Sequence, residues 1–170
     1  PRHLGAAGRR GVLCRQAFPG YGGIDYDPEN ERLAVLASLP ETSQFGIAAG
    51  ADPEFIMTAN VVYGELDPDR PFTLSPAGLE HLRSSVGGGY LVISDDLSTK
   101  VLKEACTLQG TVVGAAKAGV DVLLVCGHEA GDAEAAYAAL LDAARGGVIP
   151  AEEIDARARK LADLKRGIGG

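Results

Sequence analysis

Residues 90–97 read YLVISDDL, and this stretch decides the fold that the sequence predicts. Its apolar first half favours a buried β-strand, and the strand ends abruptly in Ser94, Asp95 and Asp96. Three other runs share this nearly continuous apolar character, which is typical of parallel strands covered on both faces. The four candidate strands are GVLCRQAF (11–18), EFIMTANVV (54–62), YLVISDD (90–96) and VDVLLVC (120–126).

Helical patterns separate and follow these strands. The clearest has Ser75 at the N-cap position and Pro76 at the first helical position, and a longer one is interrupted at Gly110. Because each connection between strands is long enough for a covering helix, the sequence predicts an α/β fold with a parallel sheet. The predicted helices occupy residues 41–50, 75–87, 98–119, 131–147 and 151–167.

Chain length and glycine placement narrow the architecture. The 170 residues predict a single domain at 1–170, with an extra C-terminal helix at about 151–167. A doubly wound sheet and a barrel both fit the order of elements. A phosphate-binding glycine fingerprint would favour the doubly wound sheet, but GGG at 87–89 precedes a strand instead of opening a helix.

Composition excludes several classes of partner. The net charge is -7 without a basic stripe, so we expect no nucleic-acid partner. No apolar run approaches the ~18 residues of a membrane span. Residues 1–11 lack the hydrophobic core of a signal peptide, so we predict a cytoplasmic protein without a membrane partner. The cysteines are expected to be buried, reduced thiols, and no cluster with ligand spacing predicts a metal or an organic cofactor.

Polar side chains gather where the candidate strands end. They are Gln16 after strand one, Thr58 and Asn60 after strand two, Ser94, Asp95 and Asp96 after strand three, and Cys126 and His128 after strand four. The carboxyl ends of parallel strands form the active-site face of α/β folds, so we expect these residues to share one rim.

The acids near this rim allow alternative interpretations. Either Asp95 and Asp96 both cap a helix beginning near residue 98, or Asp96 or Ser98 provides the cap while Asp95 faces the site. The loop GYGGIDYDPENER (20–32) is either a solvated acidic loop or a mobile flap. A flap would bring Asp25, Asp27 or Glu29 to a substrate held against Asp95, as the paired carboxylates of glycoside hydrolysis require.

Four ordered motifs resemble one known family. QAFPGYG (16–22) is similar to Lys-His-Phe-Pro-Gly-His-Gly, and FIMTANVVYGELDPDRPFTLS (55–75) to Met-x-Ala-His followed by Pro-x-x-x-Ser. LRSSVGGGYLVISDDL (82–97) is similar to a Leu-Arg and Ser-Asp-Asp-Leu segment, and AAKAGVDVLLVC (115–126) to Ala-x-x-Ala-Gly-x-Asp. Together they resemble the C-terminal half of glycoside hydrolase family 3 catalytic domains, in the β-N-acetylglucosaminidase or β-hexosaminidase branch. The resemblance implies parallel (β/α) units, the last four of a TIM-type (β/α)8 barrel.

The resemblance also implies roles for residues at the rim. The first Asp of Ser-Asp-Asp-Leu is the family's nucleophile in a retaining, double-displacement hydrolysis, which places that role on Asp95. The branch uses a loop His, oriented by an Asp two residues before it, as general acid/base. The loop at 20–32 has no His, so Asp25, Asp27 and Glu29 are the candidate acids. The resemblance places Gln16, Tyr21, Met57 and Asn60 at substrate-binding positions, and His128 is a further candidate because it follows strand four.

The predicted function follows from this resemblance. It is hydrolysis of β-linked N-acetylglucosamine-type sugars, such as muropeptide or cell-wall fragments, in carbohydrate metabolism and cell-wall recycling. The alternative is a catalytically degenerate relative that acts as a glycan-binding, protein-binding or assembly module. A half barrel exposes two sheet edges, so self-association or pairing with a missing N-terminal half-barrel is also expected.

Overall fold

A computed structural model of the chain describes residues 12–49, 53–127 and 129–168. The strands are β1 (Cys14–Phe18), β2 (Ala34–Leu36), β3 (Phe55–Thr58), β4 (Val61–Tyr63) and β5 (Leu91–Ile93). The α-helices are α1 (Ser43–Ala49), α2 (Pro76–Val86), α3 (Lys100–Ala105), α4 (Leu108–Ala118), α5 (Asp132–Arg145) and α6 (Ala151–Ile168). One turn of 3-10 helix, Phe72–Leu74, precedes α2.

The main sheet is parallel and has the order β1-β3-β5. Cys14 pairs with Phe55, and Phe55 pairs in turn with Leu91, so the three strands end at one edge of the sheet. Helices follow β3 and β5 along the chain. The prediction of an α/β fold with parallel strands is confirmed.

The predicted strand at 54–62 is two strands with different partners. β3 belongs to the main sheet, whereas β4 pairs in parallel with β2, with Val61 opposite Ala34. The ladder stops between them because the Asn60 amide donates to a side chain, the Tyr21 hydroxyl, at 3.1 Å. An unbroken apolar run does not reveal such a change of partner.

The predicted strand at 120–126, all of which the structure describes, forms only a single bridge, between Ile93 and Val122. The backbone of this fourth segment does lie beside β5, and the Ser94 amide donates to the Val122 carbonyl at 2.9 Å. The Leu124 amide, however, donates to the Ser94 side-chain hydroxyl at 2.8 Å. A side chain thus takes the place of a ladder carbonyl, and the regular strand pattern is lost.

The helix caps agree with one prediction and correct another. Ser75 caps α2 as expected, and its hydroxyl accepts from the Gly78 amide at 3.1 Å. The predicted helix at 98–119 does divide in two, but the break at Gly110 was wrong. The chain becomes extended at Cys106, and Thr107 then caps α4 by accepting from the Gly110 amide at 3.1 Å.

An aromatic cluster beneath the sheet anchors the end of β1. Phe18 is fully buried, and its ring centroid lies 5.0 Å from that of Phe45 and 5.5 Å from that of Phe72. The buried hydroxyls of Thr58 and Thr73 bond to each other at 2.9 Å, which ties the end of β3 to the 3-10 turn. The ends of β1 and β3, which carry part of the polar rim, are therefore anchored in the buried core. Within the described ranges, no helix combines the length and apolar character needed to cross a membrane.

Alanine substitutions at two helical glycines are expected to change the free energy of unfolding in opposite directions. A Cβ at Gly78 would lie 2.9 Å from the Phe72 carbonyl oxygen, whereas one at Gly114 would lie 3.6 Å from its nearest neighbour, a Leu74 methyl. We expect Gly78→Ala to lower the free energy of unfolding by about 1–3 kcal/mol through overpacking. Gly114→Ala should raise it by up to about 1 kcal/mol through helix propensity. Urea denaturation of both variants measures the difference, and a stabilising Gly78→Ala would contradict this packing.

Candidate active site

The centre of the rim is Asp95, a half-buried residue just beyond the end of β5. The Tyr21 hydroxyl donates to its Oδ2 at 2.6 Å, and the Asp96 amide donates to its Oδ1 at 2.8 Å. Each carboxylate oxygen thus receives one hydrogen bond, and the two bonds come from different parts of the chain. The strand end presents an oriented carboxylate toward the side where parallel α/β folds bind ligands.

Tyr21 links the ends of all three strands of the main sheet. It lies in the loop after β1, its hydroxyl accepts from the Asn60 amide after β3, and the same hydroxyl donates to Asp95 after β5. Burial and then the negative charge of Asp95 raise the pKa of Tyr21 well above that of a free tyrosine. The hydroxyl therefore remains a hydrogen-bond donor throughout the physiological pH range.

Asp96 is buried and organises the backbone around it. Its Oδ1 accepts from the Ser98 amide at 2.9 Å, the Ser98 hydroxyl at 2.7 Å and the Cys126 amide at 3.1 Å. It does not cap a helix, because α3 begins at Lys100 and its N-cap is Thr99. The interpretation of Asp96 as a helix cap was wrong; this acid instead fastens the fourth segment to the loop after β5.

The three candidate acids lie in the loop after β1 and differ in the contacts they make. The Asp27 carboxylate accepts from the amides of Glu29 and Asn30 and from the Asn30 side chain, and these bonds lower the pKa of Asp27. The Glu29 carbonyl accepts from the Val101 amide at 3.4 Å, which docks the loop against the start of α3. The charge of Glu29 contributes to the raised pKa of Tyr21, so its carboxylate lies within electrostatic range of the Tyr21 hydroxyl. Asp25, Asp27 and Glu29 are all exposed in this loop.

The remaining residues predicted for the site differ in burial and in their contacts with Tyr21 and Asp95. Asn60 is buried, and its Nδ2 donates to the Asp96 carbonyl at 2.9 Å. Met57 is half-buried and pairs in register with Ile93, two residues before Asp95. Gln16 is exposed on β1, and His128 lies outside the described residues. The structure therefore brings Tyr21, Asn60 and Asp95 into contact, and leaves Gln16 and Met57 without a direct bond to that group among the hydrogen bonds of the described chain.

Two features of the rim differ from the sequence analysis. The thiols are not buried: Cys14 and Cys106 are partly exposed and Cys126 is exposed at the rim. Although the residue is exposed, partial desolvation of the thiol and then the charge of Asp96 raise the pKa of Cys126, which disfavours a thiolate there. The sequence placed Ser94 on the rim but did not indicate the role of its hydroxyl, which accepts from the Leu124 amide at 2.8 Å. Its only signal in the sequence was a polar residue at the end of an apolar run.

The buried Tyr21 hydroxyl predicts a loss of stability in alkali. Above its ordinary pKa of 10.0, Tyr21 ionises in the unfolded chain but keeps its proton in the folded one, so the folded state binds more protons and stability falls as pH rises. This one residue contributes a slope of up to about 1.4 kcal/mol per pH unit. Urea denaturation at pH 8 and pH 11 should show a smaller loss for Tyr21→Phe than for the wild type. Equal losses would exclude this linkage.

The amino-acid sequence of the chain is similar to those of known proteins. The sequence model of the glycosyl hydrolase family 3 N-terminal domain matches residues 16–164. The chain is 32% identical over 128 residues to a beta-hexosaminidase of Idiomarina loihiensis, covering 71% of this chain and 38% of the relative. It is 34% identical over 136 residues to a beta-hexosaminidase of Stenotrophomonas maltophilia, covering 75% of this chain and 39% of the relative. The chain thus spans well under half the length of these relatives.

Solved structures with the same fold carry related names. The beta-N-acetylhexosaminidase from Beutenbergia cavernae matches 89% of this chain and 46% of its own, with a TM-score of 0.78 and 27% identity. The glycoside hydrolase family 3 beta-N-acetylglucosaminidase from a Paenibacillus species matches 91% of this chain and 31% of its own, with a TM-score of 0.80 and 28% identity. Because the family model matches most of its residues, this chain belongs to glycosyl hydrolase family 3.

Proposed function

We propose that the natural protein carrying this chain is a retaining hydrolase of β-linked N-acetylglucosamine-type sugars, such as muropeptide or cell-wall fragments. The observation that carries the proposal is the Asp95 carboxylate, held at a strand end by Tyr21 and the Asp96 amide. Relatives named beta-hexosaminidase support the substrate class.

The proposed reaction has two displacements at the anomeric carbon. In the first, an Asp95 oxygen bonds to that carbon as the glycosidic bond breaks, and the leaving oxygen takes a proton from an acid. In the second, the same group, now deprotonated, takes a proton from water, which attacks the glycosyl ester. The sugar is released with retained configuration, and Asp95 and the acid return to their starting states.

Glu29 is the proposed acid/base. A general acid must hold its proton near neutral pH, and the hydrogen bonds to Asp27 act in the opposite direction by stabilising its charge. The Asp27 carboxylate is also occupied in the local turn, where it accepts from the Glu29 amide at 2.9 Å. Glu29 lies two residues after this anchoring Asp and is close enough to raise the pKa of Tyr21. The docking of its carbonyl on Val101 holds the loop beside the site.

The proposal predicts a leaving-group signature for Glu29→Gln in the full-length natural protein. Removing a general acid/base should slow hydrolysis of a 4-methylumbelliferyl N-acetylglucosaminide by about 100- to 10,000-fold. A dinitrophenyl glycoside needs no acid for its departure, so its first step should be spared, and azide should restore turnover by replacing the activated water. Steady-state kinetics with both substrates measure this.

The matched control is Asp25→Asn, an acid of the same loop that is exposed like Glu29. It should retain turnover within a few-fold on both substrates. If the wild type neither turns over these glycosides nor becomes labelled at Asp95 by a 5-fluoro N-acetylglucosaminyl fluoride, the proposed hydrolysis is wrong. If Asp25→Asn shows the leaving-group signature and Glu29→Gln does not, Asp25 is the acid/base instead.

A non-catalytic module that binds glycan or protein is the second candidate. It is favoured by the replacement of the family's Lys-His pair by Gln16 and Ala17, and by the absence of His from the sequence of the loop at 20–32. This candidate predicts that Asp95→Ala leaves binding of a glycan ligand intact. A large loss of binding would count against it.

We also propose that the full-length protein completes a (β/α)8 barrel around these parallel strands. In the part of the chain that the structure describes, β1 and the fourth segment form the two edges of the main sheet. Unpaired edges favour addition of further strands. An N-terminal segment of the same protein or a second copy would supply them, in line with the limited share of the relatives that this chain covers.

A further inference from the structure

We infer that Tyr21 is a positioning residue for Asp95 that controls the second displacement, the release of the sugar from the enzyme. The inference rests on the proposed hydrolysis and concerns a residue that departs from the family's Gly-His-Gly motif. Its basis is the short bond from the Tyr21 hydroxyl to Asp95 Oδ2, at 2.6 Å.

The bond is part of a closed ring of hydrogen bonds. The Asn60 amide donates to the Tyr21 hydroxyl at 3.1 Å, and the Asn60 Nδ2 donates to the Asp96 carbonyl at 2.9 Å. The Asp96 amide donates to Asp95 Oδ1 at 2.8 Å, and Tyr21 closes the ring at Oδ2. Because three strand ends contribute to the ring, Asp95 cannot rotate without breaking one of these bonds.

Tyr21 is also held from its own side of the site. The neighbouring Gly20 carbonyl accepts from the hydroxyl of Tyr63, a side chain that is 1% exposed. The orientation of the Tyr21 hydroxyl is therefore set before any substrate binds, which is the condition for preorganised stabilisation of charge.

The chemistry of the donor determines which step it assists. A neutral hydroxyl stabilises a free carboxylate more than an ester, because hydrogen bonds to charged acceptors are stronger. In the second displacement, the bond between the anomeric carbon and the Asp95 oxygen breaks and its electron pair returns to the carboxylate. Tyr21 stabilises the charge that develops there, whereas in the first displacement that charge is consumed. A histidine in this place would change its own charge near neutral pH, and a tyrosine does not.

The test is Tyr21→Phe in the full-length natural protein. We expect kcat to fall about 10- to 100-fold and KM to fall in parallel, because the glycosyl ester on Asp95 accumulates. The trapped 5-fluoro sugar should leave the variant about 10- to 100-fold more slowly than the wild type. Mass spectrometry of the labelled peptide follows this release. The control is Tyr90→Phe, which removes a buried hydroxyl at the opposite end of β5 and should leave both rates unchanged.

The outcomes separate this inference from the proposed hydrolysis. Equal release of the label from wild type and Tyr21→Phe would overturn the role of Tyr21 alone. No label on the wild type would overturn the hydrolysis and the inference with it. A measurement without turnover tests the contact itself: Asp95→Asn should shift the Tyr21 ring-carbon resonance in a protein with 13C-labelled tyrosine, assigned through Tyr21→Phe. An unmoved resonance would also overturn the inference.

Discussion

Substitution of Asp95 by asparagine is expected to reduce hydrolysis of an aryl N-acetylglucosaminide by at least about 1,000-fold, since the amide is a far poorer nucleophile than the carboxylate. The fold should survive, because asparagine has the same shape and its oxygen can still accept from the Asp96 amide. The Tyr21 hydroxyl can rotate to accept from the new amide nitrogen. We expect the free energy of unfolding to fall by no more than about 1 kcal/mol.

Activity and stability must be measured together for this variant. Initial rates with the aryl glycoside measure activity, and urea denaturation of the same preparation measures stability. A folded Asp95→Asn protein that keeps a tenth of the wild-type rate would rule out Asp95 as the nucleophile. Activity restored by added formate in Asp95→Ala, where truncation of the side chain leaves room for a small carboxylate, would support the assignment.

Substitution of Asp96, the adjacent acid, should reduce stability much more than substitution of Asp95 does. Asp96 is 7% exposed, and one of its oxygens accepts from the Ser98 amide, the Ser98 hydroxyl and the Cys126 amide. Asp96→Ala leaves these donors without their acceptor in a buried place and creates a small cavity. We expect the free energy of unfolding to fall by about 2–4 kcal/mol.

Two comparison variants test this prediction quantitatively. Asp96→Asn keeps one acceptor oxygen and should lie between wild type and Asp96→Ala in urea denaturation. Asp95→Asn, one residue away, serves as the comparison for loss of charge alone. Asp96→Ala within about 0.5 kcal/mol of the wild type would mean that these hydrogen bonds contribute little. Such a result would contradict the role of Asp96 in fastening the fourth segment.

Much of the fold was predictable because its determinants are local in the sequence. Continuous apolar runs predicted β1, β3 and β5, and Ser75 with Pro76 predicted the start of α2. Errors arose where a partner distant in sequence decides the structure. The change of partner after β3 depends on the Tyr21 hydroxyl, and the irregular fourth segment depends on the Ser94 side chain. Neither partner is visible in the pattern of the run itself.

The site was predictable as a set of residues but not as a geometry. The positions of Asn60 and Asp95 after strands indicated a common rim, and the family resemblance added Tyr21. Their mutual bonds join residues as far as 74 positions apart, and no spacing rule predicts such contacts. The ranking of the loop acids likewise required the structure, since Asp27 and Glu29 differ in which hydrogen bonds they make rather than in their sequence surroundings.

The side chains that fasten the fourth segment have a consequence for evolution. Ser94, Asp96 and Ser98 hold the backbone at Leu124, Cys126 and Gly127, so selection for folding alone preserves them. A gene copy that drifted away from catalysis would keep most of its Ser-Asp-Asp-Leu-Ser signature for this reason. Retention of the signature among descendants therefore records inheritance of a scaffold. Under the proposed mechanism, Asp95 together with an acid at position 29 would be the more discriminating marker of surviving chemistry.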